Sequence, residues 1–174
     1  MLTIEIKECN CHLQNIYDAV LNDLQFQRIR CPVCGHAGHW AIHGYYKRTV
    51  KSFEGTGRLR ICRLRCTLCK STHAILPDSL VPYSQISTET QVLIAQAVDS
   101  QRNPESLITP ESEVDENNVK SVVRRYRRYW RERLRSERIL LEDISLLIRS
   151  CFSCFSEQFM QIRRTTNCLI PDTT

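Results

Sequence analysis

The chain has 174 residues, a net charge of +5 and ten cysteines. Its length gives room for one ordinary domain or for two small ones, and a small domain needs disulfides or metal to be stable. No stretch approaches the roughly 20 uninterrupted apolar residues of a membrane-spanning helix, and the first residues, MLTIEIKECN, lack the pattern of a signal peptide. We therefore expect a cytoplasmic protein, in which paired cysteines bind metal more readily than they form disulfides.

The charge is distributed in blocks. Residues 28–70 contain ten basic residues and one acidic residue, residues 71–119 contain one basic and eight acidic residues, and residues 120–138 contain nine basic and two acidic residues. Two basic blocks indicate a protein that binds a polyanion, provided that folding brings the blocks together. The alternative is that the lysines and arginines only solvate the surface.

The first segment, residues 1–27, is expected to pack on the unit that follows it. It contains Cys9, Cys11 and His12, which are close in the sequence but make up only half of a metal site. We interpret them as incidental, and a second metal bound by Cys9 and Cys11 stays open.

Two C-x2-C pairs in residues 28–76 predict a metal site. Each pair can fold into a tight knuckle with both sulfurs pointing inward, and Gly35 suits the positive φ that such a turn often needs. Two knuckles supply four thiolates in the tetrahedral arrangement that zinc accepts. Cys62 or His73 could replace one ligand, which is a weaker alternative. The predicted ligands of one structural zinc ion are Cys31, Cys34, Cys66 and Cys69.

The chain between the two pairs predicts a β-hairpin. Residues 40–50 are rich in aromatic and β-branched residues, residues 54–57 read EGTG, and residues 58–65 alternate apolar and charged positions before a register change near Cys62. Residues 28–76 are therefore predicted to form a zinc ribbon, which is a short antiparallel sheet held by the two knuckles. The remaining histidines of this region are expected at its surface, and they are His36, His39 and His43.

Helices are predicted after the ribbon. Residues 77–87 form an extended connector, because prolines restrict the residues that precede them. A first helix follows, with Thr88 as its N-cap and Gln91 completing a capping box. Asn103, followed by a proline at the first helical position, indicates the start of a short second helix.

A third helix is predicted from about Asp115, with apolar residues on one side and arginines on the others. Three helices in residues 88–136, with a short second and a basic third, suggest a helix-turn-helix whose third helix enters the major groove of DNA. The apolar side consists of Val119, Val122, Val123, Tyr126, Trp130 and Leu134.

The N-terminal turns of this third helix would read bases, since Asn pairs with adenine and Arg with guanine. Residues further along would contact phosphates. Asp115 and Glu116 favour the helix dipole but repel phosphate, and a bundle helix with a solvated basic face is the alternative. The predicted DNA-binding residues are Asn117, Asn118, Lys120, Ser121, Arg124, Arg125, Arg127, Arg128 and Arg131.

Residues 137–174 are predicted to contain a packing or dimerisation helix, because apolar residues recur at helical spacing from Ile144 to Ile162. Cys151 and Cys154 fall inside this apolar pattern. We interpret them as core cysteines, and a second metal site at this pair stays open.

Three stretches, CPVCG, GYYKR and RLRCTLCKSTHAILP, precede the predicted helix-turn-helix. This pattern resembles the N-terminal DNA-binding half of bacterial insertion-sequence transposases, and related short mobile-element-associated proteins of unassigned function. The resemblance covers roughly residues 28–135. It implies DNA recognition by the zinc ribbon and the helix-turn-helix. The separate RNase H-like catalytic domain of such transposases has no counterpart here, so the resemblance implies recognition without cleavage.

The sequence thus predicts an α+β protein with a small zinc ribbon, a helix-turn-helix domain and a C-terminal helix. Its expected function is that of a non-catalytic, zinc-dependent DNA-binding protein, either a transposition accessory or a transcriptional repressor of a mobile element. A homodimer and a separate transposase subunit are the expected protein partners. The alternative is an adaptor whose zinc ribbon and C-terminal helix dock a partner protein, and RNA in place of DNA stays open.

Overall fold

The computed structural model describes residues 1–6, 14–163 and 168–170. These residues form a mixed α+β fold, in which one five-stranded sheet is joined to a group of α-helices. The α+β class predicted from the sequence is confirmed. Within the described ranges, every helix is too short or too polar to span a bilayer.

A long β-hairpin forms one edge of the sheet. Strand β2 (Trp40–Ser52) pairs antiparallel with strand β3 (Gly55–Cys66), with one irregularity in β2 next to Gly44. Two residues connect the strands, and Gly55 after them has a φ of +138°, which L side chains rarely adopt. The predicted hairpin is confirmed, and both strands continue up to the two-residue turn, where Ser52 pairs with Gly55.

Strand β3 changes its buried side halfway along. Leu59 and Ile61 are buried in its first half, whereas Cys62 and Leu64 are buried in its second half. The consecutive residues Ile61 and Cys62 therefore both lie in the core, and the alternation of buried and exposed residues changes phase between them. This is the position at which the sequence predicts a register change.

The other three strands come from distant parts of the chain. Strand β4 (Thr72–Pro77) pairs antiparallel with β3, strand β1 (Leu2–Ile4) pairs parallel with β4, and strand β5 (Leu169–Ile170) pairs parallel with β1. The strand order is β2-β3-β4-β1-β5. The hairpin sheet therefore continues into strands from both ends of the chain.

Helix α1 (Gln14–Asp23) lies across the sheet and anchors it through one tyrosine. The buried Tyr17 hydroxyl accepts a hydrogen bond from the amide of Cys62 and donates one to the carbonyl oxygen of Ile75. A tyrosine suits this position, because its ring fills the core while its hydroxyl forms hydrogen bonds with backbone groups of two strands. These contacts join α1 to β3 and β4.

Helix α2 (Thr88–Asp99) begins one residue earlier than predicted. The Ser87 hydroxyl accepts a hydrogen bond from the amide of Thr90, which makes Ser87 the N-cap. Thr88 was wrong as the cap, because its buried hydroxyl instead donates to the carbonyl oxygen of Asp78 at 2.8 Å. The predicted second helix is a single 3-10 turn (Pro104–Leu107), with Asn103 as its N-cap as expected.

The predicted third helix is one continuous element. It consists of α3 (Glu116–Arg125), a π-helical turn (Tyr126–Trp130) and α4 (Arg131–Ser136), and Asp115 is its N-cap. Its buried side chains from Val122 to Leu134 are spaced by four residues. In an ideal α-helix, four residues rotate about 40° more than one full turn, so these side chains would drift around the helix axis. A π-helical turn contains more residues than an α-helical turn, so it reduces this drift and keeps the four side chains facing the core.

Helix α5 (Ile144–Phe155) is shorter than the predicted apolar pattern. Ser156 follows it with a φ of 55°, a left-handed conformation that ends the helix. The prediction of a helix continuing to Ile162 was therefore wrong. Phe159 lies beyond the helix end and is fully buried, with its ring centroid 5.5 Å from that of Trp130.

The hairpin is fixed to the helices near its connecting turn. The amide of Lys51 donates to the carbonyl oxygen of Gln85 at 2.7 Å, and the amide of Ser87 donates to the carbonyl oxygen of Lys51 at 3.0 Å. The Thr109 hydroxyl lies 3.5 Å from the carbonyl oxygen of Phe53, within donating distance. The hairpin therefore has a defined orientation relative to α2 and to the loop that leads into α3.

Candidate metal centre and nucleic-acid interface

Each C-x2-C pair forms a knuckle, and the two knuckles have the same backbone hydrogen bonds. In the first, the amide of Gly35 donates to the carbonyl oxygen of Cys31, and the amide of Cys31 donates to that of His36. In the second, Lys70 and Ser71 make the corresponding bonds with Cys66. Gly35 and Lys70 occupy equivalent positions and have φ values of 75° and 62°. The positive φ predicted at Gly35 is confirmed.

The knuckles bring four sulfur atoms together. The Sγ atoms of Cys31 and Cys69 are 3.6 Å apart, those of Cys34 and Cys66 are 3.7 Å apart, and all four lie within 4.8 Å of one another. Metal–sulfur bonds of about 2.3 Å in a tetrahedron give sulfur–sulfur edges of about 3.8 Å. A disulfide would need about 2.05 Å. The four cysteines can therefore hold a metal ion.

Burial divides the four sulfur ligands into two kinds. Cys31 and Cys66, the first cysteine of each knuckle, are buried, whereas Cys34 and Cys69 are half-buried. Hydrogen bonds from Ser71 lower the pKa of Cys69 to about 6, which favours the thiolate that a metal requires. Cys34 and Cys69, the second cysteine of each knuckle, therefore form the solvent side of the cluster.

Two weaker ligand candidates lie outside the set of four sulfurs. The Nε2 atom of His73 is 3.7 Å from the Sγ atom of Cys31, so His73 is beside the cluster. Burial lowers the pKa of His73 to about 4, which keeps the ring neutral. Cys62 lies in the sheet core, where its amide donates to Tyr17. Among the described residues neither belongs to the group of mutually close ligand atoms.

The remaining cysteines and histidines are scattered. Cys9, Cys11 and His12 lie outside the described residues. Cys151 is fully buried in the core as predicted, but Cys154 is exposed, so the core interpretation was wrong for that residue. It fails because the buried side of the helix advances in steps of four from Leu147 to Cys151 and to the half-buried Phe155, and Cys154 lies one residue before that line. The three histidines His36, His39 and His43 are exposed.

The N-terminal half of α3 holds four of the predicted DNA-binding residues. Asn117 is exposed, whereas Asn118 and Ser121 are half-buried and the side-chain oxygen of Asn118 is enclosed without a hydrogen-bond partner in the described part of the chain. The ammonium group of Lys120 is paired with Glu116 at 2.9 Å and lies 3.5 Å from Glu105. The sequence could not reveal the second carboxylate, because it comes from the separate 3-10 turn.

The C-terminal half of the same element exposes three arginines. Arg124, Arg127 and Arg128 are exposed and line an open groove beside the 3-10 turn. Within residues 1–6, 14–163 and 168–170 they have no ion pair with a carboxylate. Arg131 is different, since its Nε atom is 2.9 Å from Asp99, and Arg125 is half-buried.

The hairpin exposes a second set of basic side chains that the predicted site omits. Lys47 lies directly across from Arg60 in the strand pairing, and Arg58 follows on the same face. The Arg60 guanidinium lies 4.5 Å from the ring centroid of Tyr45. The alternation of arginine with apolar residues in β3 was the available signal, because alternate residues of a strand share one face.

The fold and the cluster define an α+β protein with a four-cysteine site that can hold a metal ion. The chain belongs to a family described as a domain of unknown function (DUF6431), whose match covers residues 31–126. The match begins at the first cysteine of the cluster and ends at the end of α3, so it includes both knuckles, the hairpin and α2. No curated protein and no solved structure matches the chain.

Proposed function

We propose that the four cysteines bind one structural zinc ion and that the chain binds double-stranded DNA. Four thiolates are soft ligands, and a tetrahedral set of four sulfurs is typical of zinc or of iron–sulfur sites. All four positions are protein ligands, so no position remains open for a reactive water. The site is therefore structural, and its role is to hold the ends of β2 and β3 beside β4.

The observation that carries the DNA proposal is the exposed group of Arg124, Arg127 and Arg128 without carboxylate partners in the described part of the chain. Three guanidinium groups exposed on one helix repel one another. A DNA backbone relieves that repulsion, because each phosphate accepts charge-assisted hydrogen bonds from an arginine. The basic face of the hairpin around Arg60 adds a second surface of the same sign.

The order of α2, the 3-10 turn and α3 supports a helix-turn-helix arrangement next to a zinc ribbon. In that arrangement the exposed Asn117 lies at the start of α3 and is the base-reading candidate. Lys120 is a weaker contact, since Glu105 and Glu116 already neutralise it. The arginines further along α3 contact phosphates and fix the position of the protein on the duplex.

A DNA-binding protein of this kind acts without cleaving DNA, as a transposition accessory or as a repressor of a mobile element. A second copy of the chain and a separate transposase subunit are its proposed protein partners.

Anisotropy of a labelled duplex with zinc-loaded protein at low salt tests the proposal. We expect wild-type protein to bind and the triple variant Arg124→Ala/Arg127→Ala/Arg128→Ala to bind at least about 100-fold more weakly, because three phosphate contacts are lost. Lys120→Ala is the matched control on the same helix and should retain most of the affinity. Undetectable binding of the wild type at low salt would contradict the DNA proposal.

An adaptor that docks a partner protein is the second candidate. The tips of the two knuckles expose Val33 and Leu68, which are 59% and 47% exposed and occupy equivalent positions. Such a pair of apolar residues suits a protein contact. This candidate predicts that a transposase subunit encoded next to the chain binds the triple arginine variant at high salt but fails to bind Val33→Ser/Leu68→Ser.

A further inference from the structure

His73 is a buried polar residue beside the four cysteines, and it is not one of the proposed metal ligands. It is 3% exposed and lies in β4, four residues after Cys69. Its ring packs edge-to-face against Trp40, with centroids 5.5 Å apart. Its Nε2 atom is 3.7 Å from the Sγ atom of Cys31, and its Nδ1 atom is buried without a hydrogen-bond partner in the described residues.

These contacts decide which ring nitrogen carries the proton. A proton on Nδ1 would leave a buried N–H donor unpaired and would turn the lone pair of Nε2 towards the electron-rich sulfur. A proton on Nε2 instead forms an N–H···S hydrogen bond and leaves only an acceptor unpaired. Buried unpaired donors are rarer than buried unpaired acceptors. The neutral ring therefore carries its proton on Nε2 and donates it to Cys31.

We propose that His73 is a positioning residue of the metal centre, whose Nε2–H group donates to the Cys31 thiolate and slows loss of the metal. The inference rests on the proposed zinc ion. A cluster of four thiolates and one Zn²⁺ carries two negative charges in a partly buried site, and a hydrogen bond to sulfur disperses part of that charge. It also holds the Cys31 side chain in the orientation that the tetrahedron needs.

The proposed hydrogen bond makes Cys31 differ from the two cysteines on the solvent side. Cys31 is buried and receives the His73 bond, whereas Cys34 and Cys69 are half-buried on the solvent side. A chelator or an electrophile therefore reaches Cys34 or Cys69 first. Release is completed only when the sulfur of Cys31 also leaves the metal, and His73 opposes that last step.

Glutamine and methionine at position 73 form the matched pair of variants. They have similar length and shape, but only glutamine has N–H groups that can donate to sulfur. His73→Phe is a third variant, which keeps an aromatic ring against Trp40 and removes the donor. His36→Phe controls for loss of a histidine near the cluster, because the His36 ring is exposed and its Nδ1 atom lies 3.0 Å from the carbonyl oxygen of Cys34, not from a sulfur.

The experiment measures the rate at which zinc-loaded protein loses zinc to a colorimetric chelator, and the absorption spectrum of the Co²⁺-substituted protein. We expect His73→Met and His73→Phe to release zinc about 10-fold or more faster than wild type, which is the usual effect of losing an outer-shell partner. His73→Gln should restore much of the difference, and His36→Phe should match wild type. The thiolate-to-Co²⁺ charge-transfer bands should keep their intensity in every variant.

Equal release rates for His73→Met, His73→Gln and wild type would overturn the proposal, because His73 would then only fill the core. A change of the Co²⁺ bands in His73→Met towards fewer or more thiolates would also overturn it, since His73 would then be a direct ligand. Wild-type protein that binds neither Zn²⁺ nor Co²⁺ would remove the zinc proposal itself, which is a different failure from unchanged release rates.

Discussion

At the scale of single residues, the two knuckles use different residues for the same backbone conformation. Gly35 and Lys70 both have positive φ, at 75° and 62°. A β-carbon on Gly35 would meet no atom within 4 Å, so only backbone strain opposes a side chain there. Lysine tolerates this conformation at Lys70, where its ammonium group donates to the carbonyl oxygen of Thr67 at 2.6 Å.

This comparison predicts that Gly35→Ala destabilises the protein by about 1 kcal/mol, the usual energy of a left-handed non-glycine residue. Lys70→Gly is the reciprocal control and should change stability by less than about 0.5 kcal/mol, because relief of strain offsets the greater freedom of the unfolded chain. Urea unfolding of the metal-loaded variants measures both values. A neutral Gly35→Ala would show that the knuckle does not require its positive φ.

Asp78 predicts a pH dependence of stability. Burial raises its carboxyl pKa to about 7, and the neighbouring Glu5 adds to the effect, although the Ile6 amide donates to the carboxylate. Since the pKa is higher in the folded than in the unfolded chain, protonation favours folding below the unfolded value of 3.8, and this stabilisation is lost as the pH rises through about 7.

Asp78→Asn keeps the shape of the side chain and cannot ionise. Between pH 4 and pH 8, we expect the wild type to lose on the order of 3 kcal/mol of unfolding free energy relative to the variant. The reason is that one unit of pKa shift corresponds to about 1.4 kcal/mol. Urea unfolding of both proteins at several pH values measures this difference. The pH dependence of metal binding is common to both proteins and therefore cancels. A constant difference would mean that the carboxyl group titrates normally.

At the scale of elements, the helix from Glu116 to Ser136 carries two kinds of cation, those with and those without a carboxylate partner among the described residues. Lys120 and Arg131 have carboxylate partners. Arg124 and Arg127 have none among the residues that the structure describes. Although all four residues belong to one basic segment, Arg124 and Arg127 should therefore contribute more to polyanion binding than Lys120 and Arg131.

Single alanine substitutions test this division. Arg124→Ala and Arg127→Ala should each reduce the slope of log affinity against log salt by about one unit, because each removes one phosphate contact. Lys120→Ala and Arg131→Ala should change the slope by less than half of that. Equal effects at all four positions would mean that the internal ion pairs open when the protein binds.

The hairpin and the apolar side of α3 could be predicted because their signals are local. Spacing alone placed the cysteine pairs at the ends of a hairpin, and a repeating apolar pattern placed Val119 and Tyr126 in the core. The π turn could not be predicted, because apolar residues spaced by four also occur on one side of an ordinary α-helix. The pairing of Lys120 with Glu105 was hidden as well, since it depends on how the 3-10 turn packs against α3.

At the scale of the whole molecule, distant segments complete the sheet. Strands β1 and β5 come from distant parts of the chain, and β1 pairs parallel with β4 on one side and with β5 on the other. Strand β1 has three residues and β5 has two, which is too little pattern for the sequence to predict strands or their partners. Such pairings depend on long-range packing against α1 and the hairpin.

The metal should stabilise this sheet as a whole. Trp40 and Cys66 pair at the end of the hairpin where both knuckles meet, so removal of the proposed zinc ion would free the ends of β2, β3 and β4 together. We expect chelation to lower the unfolding temperature by more than about 10 °C, with recovery on adding Zn²⁺, because structural zinc sites contribute directly to folding energy. Cys34→Ser and Cys69→Ser should reproduce the effect without a chelator.

The salt dependence of duplex binding by the zinc-loaded protein is the most direct test of the proposed function. Between about 50 and 200 mM salt, three phosphate contacts predict a slope of log affinity against log salt of about −2.7 or steeper. The triple arginine variant should lose about that much slope while retaining its zinc. A slope near zero, or the same slope in both proteins, would contradict the proposal that Arg124, Arg127 and Arg128 bind the DNA backbone.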